Sequence, residues 1–370
     1  MPRALATVDL ECVRHNVGSL RQRLAPPSSL MAVVKADGYG HGDIEVARAA
    51  LEAGAVSLGV ATAGEAVRLR TAGFDCPVLV MGALTGAEAA AALDAGAEII
   101  LWTGSFLRSL IDTVRSRDLE PARVHIKLDT GMRRLGVYPS RLTELLDLVE
   151  TSPEVELAGL MTHFATADED DDDFFQFQLR TFEDAAQTLL AAGVSVPLHA
   201  ANSAAAIRFP ESHFDFVRCG IAIYGLSPFQ GDAAADGLRP ALRLSSYLAD
   251  VKQLREGDTV GYGRTFMARR ETSIGIVPVG YGDGYNRLLS NRGEVLAGGS
   301  RFPVVGRISM DQITIDLGPM PAVEPGDEVV LIGRQGEEEV SAEEVASLLD
   351  TINYEVTCNI SARVERRYEG

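Results

Sequence analysis

Eight short apolar runs, each followed by a longer Ala/Leu/Glu/Arg-rich stretch, constrain this chain more than any other feature. The runs are Leu30–Val34, Ser57–Thr62, Pro77–Gly82, Glu98–Trp102, Arg123–Asp129, Val155–Phe164, Pro197–Ser203 and Phe214–Tyr224. The stretches between them, such as Asp43–Glu52 stopped by Gly54 and Gly86–Asp94 stopped by Gly96, have the acidic or glycine starts and glycine stops of helices. Eight strand–helix units are the arithmetic of a (β/α)8 barrel. A doubly wound open sheet shares the alternation, but the count favours closure.

Beyond Pro240 the pattern changes to β-rich runs at Leu242–Leu254, Thr259–Met267, Ser273–Gly280, Val304–Ile308, Ile313–Leu317 and Glu328–Ile332. Turns at Glu256-Gly257-Asp258 and Pro325-Gly326-Asp327 punctuate them. The fold class expected is α/β: an N-terminal (β/α)8 barrel over residues 10–238 followed by a C-terminal all-β domain. That domain comprises residues 239–370 together with 1–9, because Arg3–Asp9 reads as a strand of the second unit. One helix is expected within it, Ala342–Leu349, opened by a capping box between Ser341 and Glu344.

Composition narrows the function. With 370 residues, 46% of them hydrophobic, the chain can bury a large core. A net charge of -18 repels nucleic acid and anionic membranes. Residues Met1–Leu10 lack the plan of a signal peptide, and Cys12, Cys76, Cys219 and Cys358 are scattered without CxxC spacing. A cytoplasmic enzyme with reduced thiols is the expectation. The acidic run Asp168–Asp173 reads as a solvated loop before a helix near Phe174, and no metal is expected.

A barrel places its chemistry at the C-terminal ends of its strands. Lys35 ends the first run, His163 the sixth, Asn202 and Ser203 the seventh, and Arg218 and Gly220 lie in the eighth. Barrels commonly bind phosphate after strands seven and eight, which nominates Ser203 and the N–H groups of Gly220 and Ile221. Lys35 sits in Ala32-Val33-Val34-Lys35-Ala36-Asp37-Gly38-Tyr39-Gly40-His41-Gly42, where three glycines let backbone approach a ligand. A lysine at an apolar mouth loses charge and becomes available for Schiff-base chemistry, whereas a lone strand-end lysine simply reaches solvent. Tyr39 and His41 crowding Lys35 tilt the reading towards chemistry. In the fifth run His125, Lys127 and Asp129 share one face, which leaves Lys127 either a buried ammonium or paired in a local network with Asp129.

The eleven residues around Lys35 resemble the pyridoxal-phosphate attachment signature of alanine racemases. Lys127-Leu128-Asp129-Thr130-Gly131-Met132-Arg133-Arg134-Leu135-Gly136 resembles a second motif of that family. Further resemblances lie at Gly261-Tyr262-Gly263-Arg264, Gly280-Tyr281-Gly282-Asp283-Gly284, Gly306-Arg307-Ile308-Ser309-Met310-Asp311 and Ile352-Asn353-Tyr354-Glu355. The likeness runs from about residue 5 to 365 and implies a pyridoxal 5'-phosphate enzyme interconverting L- and D-alanine for cell-wall peptidoglycan. It implies Lys35 as cofactor anchor and one base, and Tyr262 as the other. It also implies Tyr39, His163, Asn202, Ser203, Arg218, Gly220, Ile221 and Tyr354 around the cofactor, with Arg134, Met310, Tyr281 and Asp311 towards substrate. Lys127 matches a lysine often carbamylated in the family, although Arg133 stands where glycine or histidine is commoner. The family's head-to-tail homodimer would bring Tyr262 from a partner subunit. Serine racemisation, decarboxylation of a basic amino acid, or a pyridoxal-phosphate carrier are the competing readings.

Overall fold

A computed structural model describes residues 2–370. The chain opens with strand β1 (Leu5–Asp9), and Asp9 then caps the helix Leu10–Arg23 by accepting from the N–H groups of Glu11 and Cys12. Eight parallel strands follow: β2 (Ser29–Val33), β3 (Ser57–Val60), β4 (Val78–Val80), β5 (Glu98–Leu101), β6 (Ala122–Lys127), β7 (Val155–Met161), β8 (Leu198–His199) and β9 (Phe216–Cys219). They pair in the order β8-β7-β6-β5-β4-β3-β2-β9. The remaining seam is bridged where Asp215 N–H donates to Leu198 O and Arg218 N–H to Ala201 O, each at 3.0 Å. The barrel is thus nearly closed, as the count of eight runs predicts.

Helices cover the outside for reasons local to the sequence. Asp43–Glu52 and Gly86–Asp94 have the expected limits. Thr62 with Glu65, and Thr85 with Glu88, form reciprocal capping boxes that start two helices directly after strands. Period-2 alternation then sorts the strand side chains. One set packs outward under the helices, while Met31, Leu79, Ile100 and Met161 form a separate buried cluster inside the barrel.

The remainder is β-rich. Its strands are β10 (Leu242–Tyr247), β11 (Asp250–Leu254), β12 (Thr259–Val260), β13 (Phe266–Met267), β14 (Thr272–Val277), β15 (Glu294–Ala297), β16 (Ser300–Pro303), β17 (Ile313–Gly318), β18 (Glu328–Gln335), β19 (Glu338–Val340) and β20 (Glu365–Glu369). A large sheet runs β16-β15-β18-β10-β1-β20, with β19 on β18, and β11-β14-β17 form a second sheet. β1 lies antiparallel to β10 and parallel to β20, so both chain ends enter one sheet.

Several expectations change here. Leu242–Leu254 divides between two sheets. Val304–Ile308 is not a strand, since only Val304 bridges Ile315, and the N–H groups of Gly306 and Ile308 go to Asn291 Oδ1 and Ser290 Oγ. Ser341 caps its helix through Glu344 N–H, but the Glu344 carboxylate turns to Arg301, so only half of the box forms. A second helix, Asn353–Cys358, was not expected.

The passage from barrel to β-rich unit hangs on Asn16, which is fully buried. Its side chain donates to Ile223 O and Arg239 O and accepts from Arg239 N–H. Asn16→Leu leaves the buried Ile223 O and the half-buried N–H and C=O of Arg239 without this partner and should lower stability by roughly 2–4 kcal/mol, read as a shift of the urea unfolding midpoint.

Candidate active site

The segment after β2 is a left-handed turn. Ala36, Asp37, Gly38 and Tyr39 have φ of 54°, 54°, 59° and 52°. Left-handed helix costs a non-glycine residue about 1–2 kcal/mol, so the surroundings must hold this turn. Glu65 Oε1 accepts from Ala36 N–H at 2.7 Å, and Arg68 pairs with both Asp37 and the buried Asp43. Arg366 donates to Gly40 O, and a Cβ at position 40 would lie 2.1 Å from Thr357 O. The turn presents Lys35 and Tyr39 together, with the lysine Nζ 5.9 Å from the tyrosine ring centroid. It also swings His41 away. His41 packs against the Tyr224 ring at 4.6 Å, outside the cavity, which corrects the expectation that it crowds Lys35.

A cavity of about 470 Å³ opens at the C-terminal ends of the strands, lined by Lys35, Tyr39, Lys127, Arg134, His163, Asn202, Ser203, Arg218, Gly220, Ile221 and Tyr354. Four of these are cationic residue types, and their crowding shapes their proton affinities. Burial, then Arg134, lowers the Lys35 pKa. Burial, then Arg134, Arg218 and Lys35, lowers Lys127 to about 8. Asp129 does not neutralise Lys127 through a local network. Its carboxylate accepts from the N–H groups of Gly131 and Arg133 and faces the Arg133 guanidinium at 3.7 Å. Burial, then Arg218, holds His163 well below its ordinary pKa.

One end of the cavity is built for an anion. Ser203 Oγ accepts from Gly220 N–H at 3.0 Å, which leaves its own hydroxyl proton free to donate. A Cβ on Gly220 would lie 2.4 Å from Tyr39 Oη, so the glycine lets that hydroxyl reach the same spot. Asn202 caps the helix Ser203–Arg208 from inside, accepting from Ala205 N–H. At the other end Arg218 spends Nη1 on His199 and Nη2 on Thr162 O and Ala200 O, with His163 Nδ1 at 3.3 Å. Among the described residues no hydrogen bond of Arg218 uses its Nε–H, so that donor can serve a ligand.

Tyr262, Tyr281, Met310 and Asp311 do not line this cavity. Tyr262 sits in the turn between β12 and β13 and is 71% exposed, and Tyr281 and Met310 are also exposed. The Tyr281 and Gly282 N–H groups bond to Ser309 O and Met310 O, which sets the two loops side by side. Asp283, buried beneath, pairs with Arg3 and Arg363, and Arg363 also holds Asp311 at 2.6 Å. The proposed site residues therefore form two groups on one chain. The residues sequence reasoning missed are the supports Glu65, Arg68, Tyr224 and Arg366. Of these only Glu65 carried a local signal, as a helix cap.

Gly40→Ala places a methyl group against Thr357 O and should disrupt the turn that presents Lys35. The expected result is a protein that retains its far-UV circular dichroism but loses reaction of Lys35 with aldehydes, followed by peptide mapping after borohydride reduction.

Known proteins resemble this chain in sequence and in fold. The family described as alanine racemase, N-terminal domain, matches residues 8–228, and that described as alanine racemase, C-terminal domain, matches residues 241–368. The alanine racemase of Symbiobacterium thermophilum is 46% identical over 366 residues, covering 99% of this chain and 97% of that one. The crystal structure of alanine racemase from D-cycloserine producing Streptomyces lavendulae superposes with a TM-score of 0.95 at 40% identity, covering 99% and 97%. That of alanine racemase from Bacillus anthracis with bound L-Ala-P gives 0.93 at 38% identity, covering 100% and 96%. With both domains matched and the backbone superposing over almost its whole length, the chain belongs to the alanine racemase family.

Proposed function

We propose that the protein interconverts L-alanine and D-alanine in the cytoplasm, supplying D-alanine for peptidoglycan, with pyridoxal 5'-phosphate held covalently by Lys35. When bound, the cofactor supplies an electron sink that makes the amino-acid α-proton removable. The observation that carries this reading is the single cavity that combines an amine of lowered pKa, an anion cradle and one free guanidinium N–H. Lys35 fits the aldehyde, and Ser203, Tyr39, Tyr354 and the Ile221 N–H fit the phosphate, with Gly220 leaving the room for it and turning the Ser203 hydroxyl proton towards it. Arg218 Nε fits the ring nitrogen, to which a guanidinium can only donate.

Lys35 serves one face of the substrate as a base, since its lowered pKa raises the share of free amine at neutral pH. Tyr262 serves the other face. Because it lies exposed on the unit formed by residues 1–9 and 239–370, the reading takes it from the partner subunit of a head-to-tail homodimer, whose barrel spans residues 10–238. His163 accepts at Nδ1 from a guanidinium that cannot accept in return, so its proton sits on Nε2, available to the incoming phenol oxygen. Arg134, with Tyr281, Met310 and Asp311 of the partner, bounds the substrate side.

Subunit exchange tests this division. Mixing Lys35→Ala with Tyr262→Phe protein gives mixed dimers with one doubly altered and one intact site. Random pairing makes half the dimers mixed, so racemisation should recover to about a quarter of the unaltered rate. A fully exchanged mixture as inactive as its parents would mean that each site is built within one chain.

Lys127 completes the reading as a carbamate. Its free amine attacks carbon dioxide, forming an N–C bond and releasing a proton, and the resulting anion lies among Lys35, Arg134 and Arg218. The free amine is needed, so carbamate formation should rise as pH passes upward through about 8. The check is the ¹³C resonance of protein equilibrated with labelled bicarbonate, which should vanish in Lys127→Ala.

A further inference from the structure

Beneath Arg218 the barrel interior holds a column of polar side chains that the reaction as described does not use. Arg218 Nη1 lies 3.1 Å from His199 Nδ1, His199 Nε2 lies 2.8 Å from His125 Nδ1, and His125 Nε2 lies 2.8 Å from Glu98 Oε2. His125, His199 and Arg218 are buried. The other Glu98 oxygen accepts from Arg123 Nε at 2.9 Å, anchoring the carboxylate at the far end.

The two ends fix every proton between them. A guanidinium has no acceptor, so His199 Nδ1 must accept and its proton must sit on Nε2. That N–H donates to His125 Nδ1, which places the His125 proton on Nε2, donating to Glu98. No other assignment satisfies all three contacts with neutral rings. The space is built for it as well. Phe216 stacks on His199 with centroids 4.1 Å apart, and a Cβ on Gly159 would lie 2.4 Å from His125 Nδ1.

We propose that Glu98, His125 and His199 form a one-way hydrogen-bond column that orients Arg218 and holds it as a donor towards the ligand above. They are positioning residues, acting through Arg218. The inference rests on the pyridoxal-phosphate reading for the identity of that ligand, while the column's proton order does not. Glu98→Gln keeps an acceptor for His125, whereas Glu98→Leu removes it. Without the acceptor both imidazoles are free to exchange tautomers, and a proton on His199 Nδ1 would push the guanidinium away.

The test uses holoenzyme labelled with ¹⁵N-histidine, with the visible absorption of the bound cofactor, kcat, KM and Tm measured alongside. The unaltered protein should show His125 and His199 both protonated on Nε2. Glu98→Gln should keep that pattern and the absorption maximum. Glu98→Leu should lose the pattern, shift the maximum and lower kcat by about tenfold, the scale of one charge-assisted hydrogen bond, with KM for alanine little changed. Either histidine protonated on Nδ1 in the unaltered protein overturns the column, with no variant required. So does a Glu98→Leu protein that changes only in Tm. An unaltered protein that shows the tautomers but neither cofactor absorption nor racemisation would instead sink the function proposed for the site.

Discussion

Crowding of positive charge at the top of the barrel is the constraint that the rest of the site answers to. Lys35, Lys127, Arg134 and Arg218 all line one cavity of about 470 Å³. Buried like charges disfavour one another, and the chain meets the difficulty in two ways. The lysines yield protons more readily, with Lys127 lowered to about 8. Arg218 is brought to about 9 by burial, yet it is wrapped by backbone carbonyls and two imidazoles that accept from it. The result is a cationic pocket in a chain of net charge -18. Such a local contrast concentrates an anionic ligand in the pocket rather than over the surface.

The backbone of the site depends on distant parts of the chain. The left-handed turn at Ala36–Tyr39 is gripped from the helix Ala63–Thr71 by Glu65 and Arg68. It is gripped from the chain's end by Arg366, while Tyr368 Oη occupies the space a Cβ on Gly42 would need. Tyr224 Oη fixes Val33 O at 2.9 Å, just before the turn. Tyr354 enters the cavity from the helix Asn353–Cys358. The strained turn and the β-rich unit therefore hold each other, and a change near the C-terminus reaches Lys35.

Much of the barrel was legible because its signals are local. Strand runs alternate with helical stretches, and the helix Gly86–Asp94 could be bounded from its glycine start and the Gly96 stop alone. The β-rich unit was less legible because its pairing is not local. The β15–β16 hairpin announces itself only by Gly298-Gly299, and β20 is a charged edge strand, Glu365–Glu369, without an apolar run. At the site the residues with reactive chemistry were visible in the motifs, since lysine and tyrosine beside glycine stand out. Their supports were not. Arg68 looks like any exposed helical arginine until Asp37 and Asp43 meet it, and Glu98 reads only as the first residue of a strand. What a side chain touches across the barrel leaves no trace in its neighbours along the chain.

Arg218 stands where these two kinds of information meet. Nη1 and Nη2 face downward and sideways to protein acceptors, so almost all of the guanidinium's donor capacity is satisfied before any ligand arrives. Under the proposed function, a ring nitrogen above it meets one N–H from a group that has no acceptor of its own. A carboxylate there would draw a proton onto the ring and strengthen its pull on electrons. A guanidinium already committed to carbonyls and imidazoles keeps that pull weak, which favours returning a proton to the α-carbon over moving it elsewhere. The same commitment makes the geometry beneath Arg218 matter, because a group with one free donor has no second way to make the contact.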